Sequence, residues 1–119
     1  MSRSPRRGDV LRMNFDPQLG HEQGGFRPAV VVSQTLYNEN SSTVVVCPVT
    51  SNVGVWPFKV ELPQGFSIRG AVLVDQLKVV DWRARRARFA ATCPSDVLEQ
   101  IDGKLDILFK GFSRPAGIG

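Results

Sequence analysis

One histidine, one tyrosine and two cysteines are all that the 119 residues hold of these types. A single imidazole, His21, excludes any chemistry that divides acid and base work between two histidines. Cys47 and Cys93 are too few and too far apart for a disulfide framework or a zinc-ligand set, so both read as buried, reduced thiols. No stretch approaches the ~18 apolar residues of a membrane span, and the basic start MSRSPRRG is not followed by an apolar run of the signal type. The expectation is a cytoplasmic protein with no membrane partner. Repeats and low-complexity blocks are absent as well, and a chain of this length has room for one core. Acids are in deficit, 11 against 15 lysines and arginines, which gives a net charge of +4 and favours a polyanionic partner.

What is present is an ordinary globular balance, 42% apolar and 22% charged residues, which argues against general disorder. The chain is organised around Arg7 to Pro28. From Asp9 to Phe15, Leu11, Met13 and Phe15 alternate with Val10, Arg12 and Asn14, the period of a half-buried strand. A loop with Gly20, Gly24 and Gly25 follows, free enough to act as a lid. It carries His21, Glu22 and Gln23 and leads to Phe26 and Arg27, so an acid, an imidazole and a guanidinium fall within seven residues.

Ala29 to Val32 reads as a strand buried on both sides, Gln34 to Ser42 as a turn or short helical excursion, and Thr43 to Val49 as another β-branched strand. Thr50, Ser51 and Asn52 form a polar cluster just past that strand's end. Trp56 opens a short strand through Leu62. Gly70 to Val80 is the most hydrophobic run, and Asp75-Gln76 inside it require partners or a bulge. Arg83, Arg85, Arg86 and Arg88 read as an extended segment, with Arg86 and Arg88 on one face and Arg83 and Arg85 on the other. Phe89 to Thr92 is a last edge strand. Val97, Leu98, Ile101, Leu105, Leu108 and Phe109 then mark an amphipathic helix begun by Pro94 and ended by Gly111. The sum is a mainly β (α+β) domain over residues 8–111, a small, mostly antiparallel barrel with a C-terminal helix laid against it. Residues 1–7 are expected as a flexible basic N-terminus, either frayed or a nucleic-acid arm, and 112–119 as a flexible tail.

The runs Gly8-Asp9-Val10, Phe15-Asp16-Pro17, Gly20-His21-Glu22-Gln23-Gly24-Gly25, Arg27-Pro28-Ala29-Val30-Val31, Cys47-Pro48-Val49-Thr50-Ser51, Trp56-Pro57-Phe58, Asp75-Gln76 and Asp81-Trp82-Arg83-Ala84-Arg85 resemble, in order and spacing, the MazF/PemK toxins of bacterial type II toxin–antitoxin systems. The resemblance implies an SH3-like barrel of the PemK/CcdB type, a homodimer, no cofactor, and sequence-selective, metal-independent cleavage of single-stranded RNA. It also implies a MazE-like antitoxin, acidic and labile, covering the groove. The positions matching the family's catalytic residues are Arg27 and Thr50, with Glu22 as a further candidate. Phe26 stands where many relatives carry a small or polar residue, which bears on substrate preference.

Cleavage without a metal uses the 2′-hydroxyl as nucleophile and builds a crowded anionic phosphorane. An arginine fork suits that charge, so Arg27 is expected to hold the scissile phosphate, with Thr50 donating a hydroxyl hydrogen bond. Glu22 or His21 is the candidate base. His21, Gln23, Phe26, Ser51, Asn52, Trp56, Asp75, Gln76, Arg83, Arg85 and Arg86 are the candidate RNA contacts, aromatic faces serving to stack bases. Structural readings stand beside these: Glu22 and Arg27 pairing to order the loop, Asp75-Gln76 satisfying the backbone, and Trp82 in the core. The rival functions are a CcdB-like, non-catalytic poison of DNA gyrase and a catalytically silent RNA- or antitoxin-binding module. The C-terminus lacks the Trp-Gly-Ile ending of the gyrase poisons.

Overall fold

The computed structural model describes residues 3–17, 19–22, 24–52 and 54–111. They form strands β1 (Asp9–Asn14), β2 (Phe26–Val31), β3 (Thr43–Thr50), β4 (Lys59–Glu61), β5 (Ala71–Leu73), β6 (Lys78–Asp81) and β7 (Arg88–Thr92), with helices α1 (Thr35–Glu39) and α2 (Ser95–Lys110). Every ladder is antiparallel: β1 lies between β2 and β7, β2 joins β3, and β4 joins β5.

Alternation divides the interior into two layers. Val10, Val30, Cys47, Val49 and Val72 pack on one side of the sheet with Val97 and Ile101 of α2. Leu11, Met13, Phe15, Ala29, Val31, Val44, Val46, Val80 and Trp82 fill the other. Thus β2 is buried on both faces, as its β-branched sequence implies, and Trp82 is a core residue. The helix turns Val97 and Ile101 fully inward, worth about 1.5–3 kcal/mol each, with Leu98 and Leu105 partly covered. It stops at Gly111, whose φ of 73° is open to glycine at little cost.

The expected closed barrel is not formed. The strand order is β4-β5-β3-β2-β1-β7, with β6 also on β3, so β4 and β7 are free edges. β4 has only three residues, and α2 packs against it in place of another strand. The long strand β3 joins the two parts of the sheet, pairing with β2 and β6 through its first residues and with β5 through Val49 and Thr50.

The hydrophobic run from Gly70 to Val80 runs alongside β3 in two pieces. Val72 pairs with Val49, but Lys78 pairs with Val46, a shift of three residues taken up by a 3-10 turn, Val74–Gln76. The polar pair Asp75-Gln76 is therefore a bulge. Ala71, Val72, Leu73, Val74 and Val80 fill the chain's own core, and Val79 is exposed.

Two further expectations are corrected. Trp56 to Phe58 precede the strand, which starts at Lys59. The arginine-rich segment is not extended: Trp82 to Arg86 form a turn, because the Asp81 carboxylate accepts the backbone N–H groups of Arg83 and Ala84, both at 3.1 Å. Near the N-terminus, Arg3 pairs with Asp9 at 3.2 Å, Arg7 pairs with Asp102, and the buried Asn38 donates to Pro5 O at 3.0 Å. Residues 3–7 are thus tied to the body. The expected tail, 112–119, lies outside the described residues, as does the C-terminal feature used to weigh gyrase binding. No helix among the described residues is long and apolar enough to cross a membrane.

Candidate active site

The loop between β1 and β2 is fixed first at its base. Phe15 N–H donates to Gly25 O at 2.7 Å, and Gly25 N–H donates to the Asp16 carboxylate at 2.6 Å. Gly25 makes this double contact with a φ of 77°, where a side chain would be strained. Arg85 reaches the same base, donating from Nη1 to Asn14 O at 3.2 Å. Along its flank the loop is held by the bulge and by the strand that follows it. Gln76 Nε2 donates to His21 O at 3.4 Å, and Lys78 Nζ lies 3.1 Å from Glu22 Oε1. Glu22 therefore pairs with Lys78, while the His21 side chain is exposed.

Arg27 is half-buried and its Nε donates to Gly24 O at 2.6 Å, so the loop's own backbone orients the guanidinium. The β2–β3 ladder ends at Ala29 with Pro48. Arg27 and Thr50 fall two residues beyond that last pair on their strands and, by alternation, on the same face. Lys78 shares that face through its pairing with Val46. Arginine and hydroxyl thus share one face just past the point where β2 and β3 cease to pair. Thr50 is 4% exposed, and its Oγ1 accepts the Asn52 N–H at 3.1 Å. That contact leaves the hydroxyl proton available to donate.

The remaining candidates divide. The Asn52 side chain accepts the Gly54 N–H at 2.9 Å, and Lys59 Nζ caps the carbonyls of Asn52 and Gly54. Trp56, half exposed, donates Nε1 to Asp75 Oδ2 at 3.0 Å, and Asp75 Oδ1 is buried with no hydrogen-bond partner among the described residues. That pairing steadies the Trp56 ring. Phe26 is exposed beside Asn14. Arg83 stacks 4.5 Å over the Trp82 ring, and Arg83 and Arg86 line a separate cleft with Arg88. Gln23 lies outside the described residues. Neither thiol takes part: burial, then the Asp75 charge, pushes Cys47 up to about 12, and burial, then Asp96, pushes Cys93 up to about 11.

Sequence reasoning missed Arg12 and Arg69. With Arg27, Pro28, Val49, Ser51, Ser67 and Ile68 they line a cleft of about 410 Å³. Their only signal was negative, an arginine at an outward position of β1 and another before Gly70, each indistinguishable from surface until the strands are registered.

A model of the PemK-like, MazF-like toxins of type II toxin–antitoxin systems matches residues 6–109. The chain belongs to this family. It is 38% identical over 104 residues to the endoribonuclease toxin MazF of Escherichia coli K12, covering 87% of this chain and 93% of that one. Among solved structures, MazF from Deinococcus radiodurans superposes with a TM-score of 0.83 at 46% identity, over 88% of this chain and 96% of that one. A MazE–MazF structure from the same organism gives 0.81 at 45%, over 92% and 98%. The MazF-like match spans Glu22, Arg27 and Thr50 together with the bulge and Lys78 that hold the loop.

Proposed function

We propose that this chain is the toxin of a type II toxin–antitoxin pair and an endoribonuclease that cuts single-stranded RNA without a metal, leaving 2′,3′-cyclic phosphate and 5′-hydroxyl ends. The observation that carries the reading is the shared face of Arg27 and Thr50 just past the last pair of the β2–β3 ladder, with Glu22 on the loop that leads into β2. Arg27 holds the non-bridging oxygens of the scissile phosphate and the charge that grows on them. Thr50 donates its hydroxyl to the same group. Glu22, released from Lys78 when RNA enters, takes the 2′-hydroxyl proton, and Lys78 holds the charge of the loop meanwhile. Attack forms the bond from O2′ to phosphorus and breaks the bond to O5′, which leaves with a proton taken from water, and the proton on Glu22 returns to solvent.

The chain works in the cytoplasm as a homodimer and is restrained by an acidic, MazE-like antitoxin, whose charge complements the net +4. The relatives named endoribonucleases and the MazE–MazF structures support this reading. The test is incubation of purified protein with a long single-stranded RNA in EDTA, followed by end-group analysis. Discrete fragments with cyclic phosphate ends from the wild type, and none from Arg27→Ala, are expected. Intact RNA with the wild type rejects the proposal. Light scattering checks the dimer.

A further inference from the structure

From Thr50 the strand pairings lead across the sheet to a carboxylate that no motif marked. Thr50 pairs with Ala71 of β5, and Ala71 pairs with Glu61 of β4. Directly paired residues of neighbouring antiparallel strands point to the same side, so Glu61 stands on the face of Thr50. Two strand spacings separate them, about 10 Å. Ala71, between them, carries only a methyl group. Lys59 lies two residues before Glu61 on β4 and so shares the face.

These three residues of β4 and β5, with Val55 and Trp56, line a cleft of about 240 Å³. Pockets for drug-sized molecules run to ~300–1,000 Å³, so this one suits a single planar ring system. The Trp56 ring is half exposed and held by its bond to Asp75, which gives a stacking partner a platform of fixed orientation. Lys59 Nζ donates to the carbonyls of Asn52 and Gly54, which leaves its third N–H for the cleft. Glu61 is exposed and makes no ion pair among the described residues. An aromatic platform beside one donor and one carboxylate acceptor is the equipment that reads an unstacked base.

We infer that this cleft is a base-recognition subsite, in which a base of the RNA next to the scissile phosphate stacks on Trp56 and donates its exocyclic amino group to Glu61. The inference rests on the nuclease reading and adds the class of base. Adenine, cytosine and guanine carry such an amino group, and uracil does not. The edge of uracil sets carbonyl oxygens on both sides of its one N–H, and these meet a carboxylate with like polarity. Lys59 donates to the acceptor beside the amino group. An acidic protein segment suits the cleft less well, because it would face the unpaired charge of Glu61.

The experiment is cleavage of a random-sequence pool of single-stranded RNA by the full chain in EDTA, with the fragment ends sequenced. The wild type is expected to cut with uracil about tenfold under-represented at one position beside the cut, the discrimination that one good contact to a base edge provides. Glu61→Ala should return uracil at that position to its share of the pool, while the preferences at other positions stay. Glu61→Lys, which presents a donor to the uracil oxygens, should favour uracil there. On one preferred substrate, Trp56→Ala should raise KM about tenfold, and Trp56→Phe, which keeps a ring, should recover most of that loss. Melting temperatures establish that the variants fold. Unchanged base preferences in folded Glu61→Ala, or a wild type that accepts uracil at every position near the cut, overturn the inference and leave the nuclease reading in place. A pool left intact by the wild type removes both readings.

Discussion

Gly70 lies so close to Thr50 that a Cβ built on it would stand 2.2 Å from the Thr50 carbonyl oxygen. Its φ of 122° is also one that L side chains rarely adopt. The backbone of one residue thus fixes the position of a proposed catalytic hydroxyl on another strand. Gly70→Ala should lower stability by about 1–3 kcal/mol and displace Thr50. Urea unfolding measures the first effect, and RNA cleavage below the new midpoint should fall by more than the unfolded fraction explains. Equal activity per folded molecule would separate Gly70 from the site.

Arg27→Ala removes both the fork and its bond to Gly24 O. Cleavage should drop about a hundredfold or more, as the loss of a transition-state donor commonly causes, with melting little changed. Arg27→Lys keeps the charge but not the two-pronged geometry, and should recover only a small part of the rate.

Glu22 and Lys78 give opposite expectations although they form one pair. If Glu22 is the base, Glu22→Gln should cost about a hundredfold in kcat, while Lys78→Gln should alter kcat only a few-fold. Both side chains are partly exposed, so breaking the pair should cost less than about 1 kcal/mol. Equal and small losses in single-turnover rate for the two variants would return Glu22 to a loop-ordering role and leave His21 as the candidate base.

The two thiols make stability depend on pH at the alkaline end. Each is raised in the folded protein, Cys47 to about 12 and Cys93 to about 11, from an ordinary value of 9.0. Above pH 9 the unfolded chain releases these protons and the folded chain keeps them, so stability is full below pH 9 and declines as pH rises toward 11 and 12. Thermal melts between pH 8 and 10.5 should show the decline, and Cys47→Ala with Cys93→Ala should flatten it. Thiol reagents at pH 8 should label the native protein far more slowly than the unfolded one.

Much of the frame was legible because local pattern and tertiary role agree. Alternation located β1, the β-branched runs located β2 and β3, and the spacing of Val97 and Ile101 located α2. The arginine-rich segment misled because arginines at alternate positions say nothing about a backbone that the preceding Asp81 folds into a turn. Closure of the sheet was not legible either, since it depends on how many residues β4 contributes to a ladder. In the proposed site, Glu22, Arg27 and Thr50 rest on their motifs. Arg12 and Arg69 were not legible, because they come to line a cleft with Arg27 only when the strands are assembled, and Lys78 gained its meaning from the carboxylate it reaches across 56 positions of sequence.

The three-residue turn Val74–Gln76 has an effect on the parity of the chain. An odd number of extra residues exchanges the two sides of a strand, so Val72 before the turn packs with the helix layer and Val80 after it packs with the opposite layer. Shortened by one, the turn would bring Val79 inward and rotate Lys78 away from the loop, leaving a carboxylate without its cation. The site's charge arrangement is thus set by counting, in a segment whose last residue, Gln76, also holds the loop at His21 O.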